Sequence, residues 1–203
     1  LQQVVQLEGY EGTLELYLKD LQTGEEIHFA YDQGNMIQPD IAFTAASTMK
    51  IPIMVAVFRR TPEPLPAEID QMMNLMIEYS ENDPADRLME NALDSNLGPL
   101  QVTEDMQTLG LDSTFLAGYF YPGAPLLRRF DTPANTRTDI TTAPDAYNQT
   151  TSTEMGMLLE DIYYCAEKSG GSFAAVFPGE LTQNECRQNG DRNFVIHDVL
   201  FLS

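Results

Sequence analysis

The chain is short of basic residues. Its 203 residues hold 11 Lys and Arg against 31 Asp and Glu, a formal net charge of -20. Such a surface repels phosphate backbones, which excludes nucleic acid as a partner. The acids are dispersed, with no long run of one sign, so the charge reads as a solubility device rather than an acidic tail. No apolar run approaches the ~20 residues that a membrane span needs. No glycine-rich phosphate loop and no zinc-type Cys/His spacing is present, so no nucleotide or metal cofactor is implied. The two histidines, His28 and His197, lie too far apart in sequence to suggest a metal pair and read as structural. The two cysteines, Cys165 and Cys186, fit either one disulfide or two buried thiols. There is no internal repeat. Leu1-Gln2-Gln3 is neither an initiator nor the basic start of a signal peptide, so the chain reads as a mature or trimmed product.

What is present is ordinary globular composition, 43% hydrophobic and 21% charged. This is enough to bury a core as one domain, with two lobes. Residues 13 to 31 predict a β-hairpin: Thr13 to Leu18 alternates, Asp20 to Gly24 turns, and Glu26 to Tyr31 returns. Residues 32 to 43 read as a loop and 47 to 60 as a largely apolar helix, stopped by the Pro-rich stretch Thr61 to Pro66. Helices are predicted at 67–79, 84–94 and 99–109, the last ended by Gly110. The stretch 112–149 is irregular. Its aromatics, Phe115, Tyr119, Phe120, Tyr121, Phe130 and Tyr147, predict an ordered, packed loop. An amphipathic helix follows at 150–168, closed by Gly170-Gly171, then a short helix near 181–188 and a closing strand from Asn193 to Leu202. Met72, Met73 and Met76 read as helix core filling.

Chemistry concentrates in two short stretches. Ser47-Thr48-Met49-Lys50 is an S-x-x-K, and Ser80-Glu81-Asn82 follows 33 positions after its serine. Helical positions i and i+3 share a face, so Ser47 and Lys50 can meet in one pocket. A serine hydroxyl is a weak nucleophile until a neighbouring base takes its proton. A lysine can be that base once burial lowers its pKa from ~10.4. The apolar run Ile51 to Phe58 supplies that burial. Ser80 and Asn82 fall on a short connection between helices, with Asn82 or Asp83 able to cap the second and Pro84 in its first turn.

Phe43 to Pro52 and Tyr79 to Asn82 together resemble the first two motifs of the penicillin-recognising serine hydrolases, the class A β-lactamases and penicillin-binding proteins. Gln149 to Leu159 is similar to the threonine-started helix after that family's Ω-loop. The resemblance runs from about residue 12 to about 188. It implies an α/β (α+β sandwich) fold of the β-lactamase/transpeptidase type, with an antiparallel sheet (about 12–31 and 193–203) packed against a helical lobe (about 47–188). It implies a Ser47 nucleophile, Lys50 as its base, Ser80 as a proton relay and Asn82 holding Lys50 and a substrate amide. It further implies a small-molecule or peptidoglycan-type substrate and work outside the cytoplasmic membrane, secreted, periplasmic or in the cell envelope.

The chain departs from that pattern in three places. The third family motif, lysine-threonine-glycine on a strand, is not found after residue 188, and the expectation is that residues are missing from the chain. Glu81 stands where the family carries aspartate. The deacylating glutamate has no clear counterpart, and Asp139 is the best acid of the Ω-loop region, with Asp131 and Asp145 behind it. A β-lactamase-like hydrolase is the leading expectation. A penicillin-binding or D,D-peptidase-like protein with slow deacylation and a catalytically silent binding domain are the rivals.

Overall fold

The structure is a computed structural model that describes residues 11–168 and 170–193. Strand β1 (Thr13–Lys19) pairs antiparallel with β2 (Glu26–Asp32), in the register Tyr17 opposite His28. The loop predicted after the hairpin carries a third strand, β3 (Asn35–Ile37), which pairs antiparallel with β2. Gln33 and Gly34, both at positive φ, make the two-residue turn between them, the backbone that such a tight hairpin requires. The helices are α1 (Lys50–Arg60), α2 (Ala67–Glu78), α3 (Asn82–Leu88), α4 (Gly98–Thr108), α5 (Ser152–Lys168), α6 (Ser172–Val176) and α7 (Gln183–Asn193). A π-turn, Met89–Leu93, extends α3. The long irregular stretch is ordered as the aromatics imply, with a two-residue ladder of β4 (Phe115–Leu116) against β5 (Asn148–Gln149) at its two ends. The short helix α6 is not signalled by the sequence. The predicted closing strand lies outside the described residues, apart from Asn193, which ends α7.

Helix α1 is buried from Lys50 to Phe58, as expected for a helix apolar on every side. On one flank Ile53, Met54 and Val57 pack with Met73 and Met76 of α2 and Leu88 of α3. On the other, Ile51 and Val55 pack with Met106 of α4 and with Met155, Leu158 and Ile162 of α5. Arg59 and Arg60 close the helix by pairing with the buried carboxylate of Asp105 in α4. Cations at a helix C-terminus are favourable there.

The sheet meets α5 through a polar face. Lys19 pairs with Glu160 at 2.9 Å, and Tyr17 lies against Gly156 so closely that a Cβ there would come within 2.5 Å of its ring. Cys165 of α5 and Cys186 of α7 form a disulfide with Cα atoms 5.7 Å apart, which resolves the two alternatives left by the sequence.

Candidate active site

Ser47 does not lie on an α-helix. It sits in a 3-10 turn, Ala46–Met49, that runs directly into α1. Residues i and i+3 eclipse in a 3-10 turn, which aims Ser47 and Lys50 at each other more directly than α geometry would. The turn is held from outside. Ala46 has φ of +49°, and its N–H donates to Asn148 Oδ1 at 2.6 Å. The Thr48 hydroxyl donates to Ala45 O at 2.5 Å. Ser80 also lies at positive φ, +56°. A non-glycine residue in that region costs of order 1–3 kcal/mol and persists only where its surroundings enforce it. Here one such residue precedes Ser47 and another is Ser80 itself.

Lys50 is the centre of the site. Only 2% of it is exposed, while Ser47, Ser80 and Asn82 are open to solvent. Its Nζ lies 3.0 Å from Ser47 Oγ, 3.2 Å from Ser80 Oγ, 2.7 Å from Ser80 O and 2.8 Å from Asn82 Oδ1. An ammonium has three protons and no lone pair, so it can meet three of the four neighbours and only as donor. A neutral amine donates two protons and accepts one, which suits the Ser47 or Ser80 hydroxyl as donor. Burial pushes the Lys50 pKa below its ordinary value, and the field of Asp86 raises it in part. Among the described residues no carboxylate hydrogen-bonds to Ser47 Oγ or Lys50 Nζ. Asn82 does not cap α3. The cap position belongs to Glu81, with no side-chain bond to the helix, and the Asn82 amide is turned to Lys50 instead. Glu81 takes part through its backbone, N–H to Leu75 O at 3.3 Å.

Two residues that sequence reasoning missed complete the surroundings. The Phe120 ring centroid is 5.3 Å from Lys50 Nζ. The Phe120 N–H donates to Asp86 Oδ1 at 2.7 Å. Asp86 is 6% exposed, and burial pushes its carboxyl above the usual carboxylate range. Its position, four after Asn82 on α3, was the available signal, since i and i+4 share a face. Phe120 stood among the loop aromatics without distinction, and nothing in sequence pointed to Asn148.

The acids of the 131–145 stretch are elsewhere. Asp139 is ion-paired with Arg137 at 2.6 Å, which holds its carboxyl below the usual range. Arg137 also donates to Gln38 O at 3.0 Å and Pro39 O at 2.5 Å, tying the two loops together. Asp145 is an exposed turn residue whose Oδ1 accepts from Tyr147 N at 2.8 Å, and Asp131 is exposed. Two cavities reflect this division. The one of about 170 Å³ is lined by Ser47, Thr48, Lys50, Ile51, Met76 and Ser80. The larger, about 590 Å³, includes Asp40, Asp112, Arg137, Asp139, Thr153 and Glu154. Size does not decide between them: the smaller one holds the exposed Ser47 hydroxyl 3.0 Å from the buried Lys50 amine.

A family model described as "Beta-lactamase enzyme family" matches residues 1–63. That span covers the sheet strands β1 to β3 and the Ser47–Lys50 turn. No curated protein sequence matches the chain. Among solved structures, the class A β-lactamase of the last common ancestor of Gram-negative bacteria superposes with a TM-score of 0.57 at 20% identity, covering 96% of this chain and 70% of that one. A β-lactamase from Desulfarculus baarsii DSM 2075 gives a TM-score of 0.58 at 16% identity, covering 94% of this chain and 66% of that one. A β-lactamase from Streptosporangium roseum gives 0.57 at 16% identity, with the same 94% and 66% coverage. At such identities the likeness is one of fold. With the family match it supports a β-lactamase-like superfamily for this chain.

Proposed function

We propose that this chain, with its β-lactamase-like fold, is a serine hydrolase that works through an acyl-enzyme on a β-lactam or a related amide or ester. The observation that carries the reading is the Lys50 amine, buried and 3.0 Å from an exposed serine hydroxyl. Ser47 Oγ attacks the substrate carbonyl carbon and its proton passes to neutral Lys50 Nζ. The developing oxyanion is met by the Ser47 N–H, which belongs to a first helical turn whose N–H groups the helix itself leaves unpaired. As the carbonyl–nitrogen (or –oxygen) bond breaks, Lys50 returns the proton through Ser80 Oγ to the leaving group. Asn82 holds Lys50 and presents its amide to the substrate. Water then cleaves the Ser47 ester and releases the acid. Asp139, paired with Arg137 in the other cavity, is given no part in that step. The Cys165–Cys186 disulfide favours an oxidising compartment outside the cytoplasmic membrane.

A second reading shares the acylation half and differs in turnover. The loop residue facing Lys50 is Phe120, a ring that cannot activate water, which favours a penicillin-binding type of protein whose acyl-enzyme persists. Incubation with a fluorescent penicillin, followed by gel and intact mass, tests both. The proposal expects a covalent adduct on the wild type and none on Ser47→Ala. Decay of the adduct within seconds marks a β-lactamase, and persistence over minutes to hours marks the second reading. An adduct of equal yield on Ser47→Ala refutes both.

A further inference from the structure

We propose that Glu15, His28 and Asp40, far from Ser47 in chemistry and role, form a binding site for one divalent transition-metal ion of the Zn²⁺ class. The three residues come from β1, β2 and the loop after β3, which is why no sequence spacing announces them. One donor atom from each lies within 4.8 Å of the others. Glu15 Oε1 is 2.8 Å from His28 Nε2. The hydroxyl of Thr153, in the first turn of α5, is 3.1 Å from the same nitrogen and donates to Asp40 Oδ1 at 2.6 Å. Four elements thus converge on one point.

The donor atoms retain capacity for an ion. The Glu15 side chain is fully buried, and its two oxygens accept the N–H groups of Asp40 at 2.9 Å and Ile41 at 3.0 Å. Each carboxylate oxygen has two acceptor directions, and on Oε1 one is taken by the Asp40 N–H and the other by His28 Nε2, the direction an ion would take over. That oxygen, Nε2 and the Thr153 hydroxyl now share a single imidazole proton. A metal ion would replace this proton and draw in the Asp40 carboxylate. Asp40 is held in place by its backbone, at φ of +62°, a conformation that Asp tolerates better than most residues.

Charge favours the same occupant. Two carboxylates face one another across this cluster. The cation near them is Arg137, whose guanidinium is engaged with Asp139 and with the carbonyls of Gln38, Pro39 and Asp40. One imidazole nitrogen with two carboxylate oxygens is a borderline donor set, suited to Zn²⁺ more than to Mg²⁺ or Ca²⁺. Zn²⁺ bonds of roughly 2.0–2.2 Å put donors about 3.4 Å apart. The Glu15–His28 pair must open slightly, and the Asp40 side chain, which is exposed, must close. Asp40 and Thr153 line the larger cavity, which gives the ion a route in from solvent. An ion here would clamp the hairpin to the segment that leads into the Ser47 turn.

The test is calorimetric titration of the chelator-treated full chain with Zn²⁺ at ~0.15 M ionic strength, which screens diffuse binding to the acidic surface. Wild type is compared with His28→Gln and Asp40→Asn. Asp40 is exposed, so its variant keeps the fold even if the His28 variant does not. The proposal expects one ion per chain with micromolar or tighter affinity, weakened at least tenfold in each variant. It also expects a Tm rise on the order of 5 °C at a hundredfold excess over the wild-type Kd, cut to half or less in Asp40→Asn at the same Zn²⁺ concentration. Co²⁺ in place of Zn²⁺ gives visible absorption bands in the wild type that His28→Gln removes. No saturable binding, or binding and bands unchanged in both variants, overturns the proposal.

Discussion

Replacing Lys50 by methionine separates its chemistry from its packing. Methionine fills a similar stem volume in the same apolar surroundings. The change removes the Nζ that contacts Ser47 Oγ at 3.0 Å, Ser80 Oγ at 3.2 Å, Ser80 O at 2.7 Å and Asn82 Oδ1 at 2.8 Å. A buried acceptor left alone costs roughly 1–3 kcal/mol, but Ser80 and Asn82 are exposed and water replaces the amine. Removal of a buried amine from beside apolar α1 neighbours offsets what remains. The stability change is therefore within about 1.5 kcal/mol, or roughly 5 °C in Tm. Catalysis has no such substitute. Loss of a positioned general base costs on the order of 10²–10⁴-fold. Single-turnover labelling by a fluorescent penicillin, read beside a thermal melt, measures both quantities. A variant that labels within tenfold of wild type while melting at the same temperature refutes the assignment of Lys50 as base.

The wild-type labelling rate should rise with pH and level off below the ordinary lysine value of 10.5, because burial lowers the Lys50 pKa. The folded pKa of this base lies under the unfolded one, so the unfolded chain binds the extra proton between them. Lys50's contribution to stability therefore rises with pH across that window. Asp86→Asn removes the carboxylate whose field raises the Lys50 pKa. The rising limb of its pH–rate profile should move to lower pH, and an unmoved limb would rule out that coupling. Cys165→Ser with Cys186→Ser opens a link of 21 residues, worth about 3 kcal/mol by chain entropy. The double variant should melt roughly 6–12 °C lower with its labelling rate unchanged, and a drop under about 2 °C would contradict the estimate. Phe120→Glu puts a carboxylate where a ring now faces Lys50. The acyl-enzyme should decay faster, by at least tenfold in a chase experiment, and an unaltered decay would mean that this position does not see the acyl ester.

The elements that sequence predicted well are those whose pattern is local. The β1–β2 hairpin, the apolar helix after Ser47 and the helix from Ser152 are specified by periodicity and by turn residues within a few positions of each element. Strand β3 was lost because three residues carry too little alternation to stand out. The contact of Lys50 with Ser47 was legible because the two are three positions apart at a helix edge, whereas the approach of Ser80 and Asn82 to the same amine was expected only from the resemblance to a known pair of motifs. Asp86 and Phe120 were not, since their meeting depends on how the 112–149 stretch folds back over α3. Asp139 was favoured for its place in that stretch, yet Arg137 draws it to the loop at Gln38–Asp40. The Glu15–His28–Asp40 cluster was hidden for the same reason, because its donors meet only through strand register and a loop of unusual backbone. His197 falls outside the described residues.

The most direct test of the account is peptide mapping by mass spectrometry after brief exposure to a penicillin. Acylation on the peptide carrying Ser47, lost in both Ser47→Ala and Lys50→Met while each variant keeps its melt, is the predicted result. An adduct on any other residue, or no adduct on the wild type with a β-lactam, a D-alanyl peptide or a small ester, would contradict it.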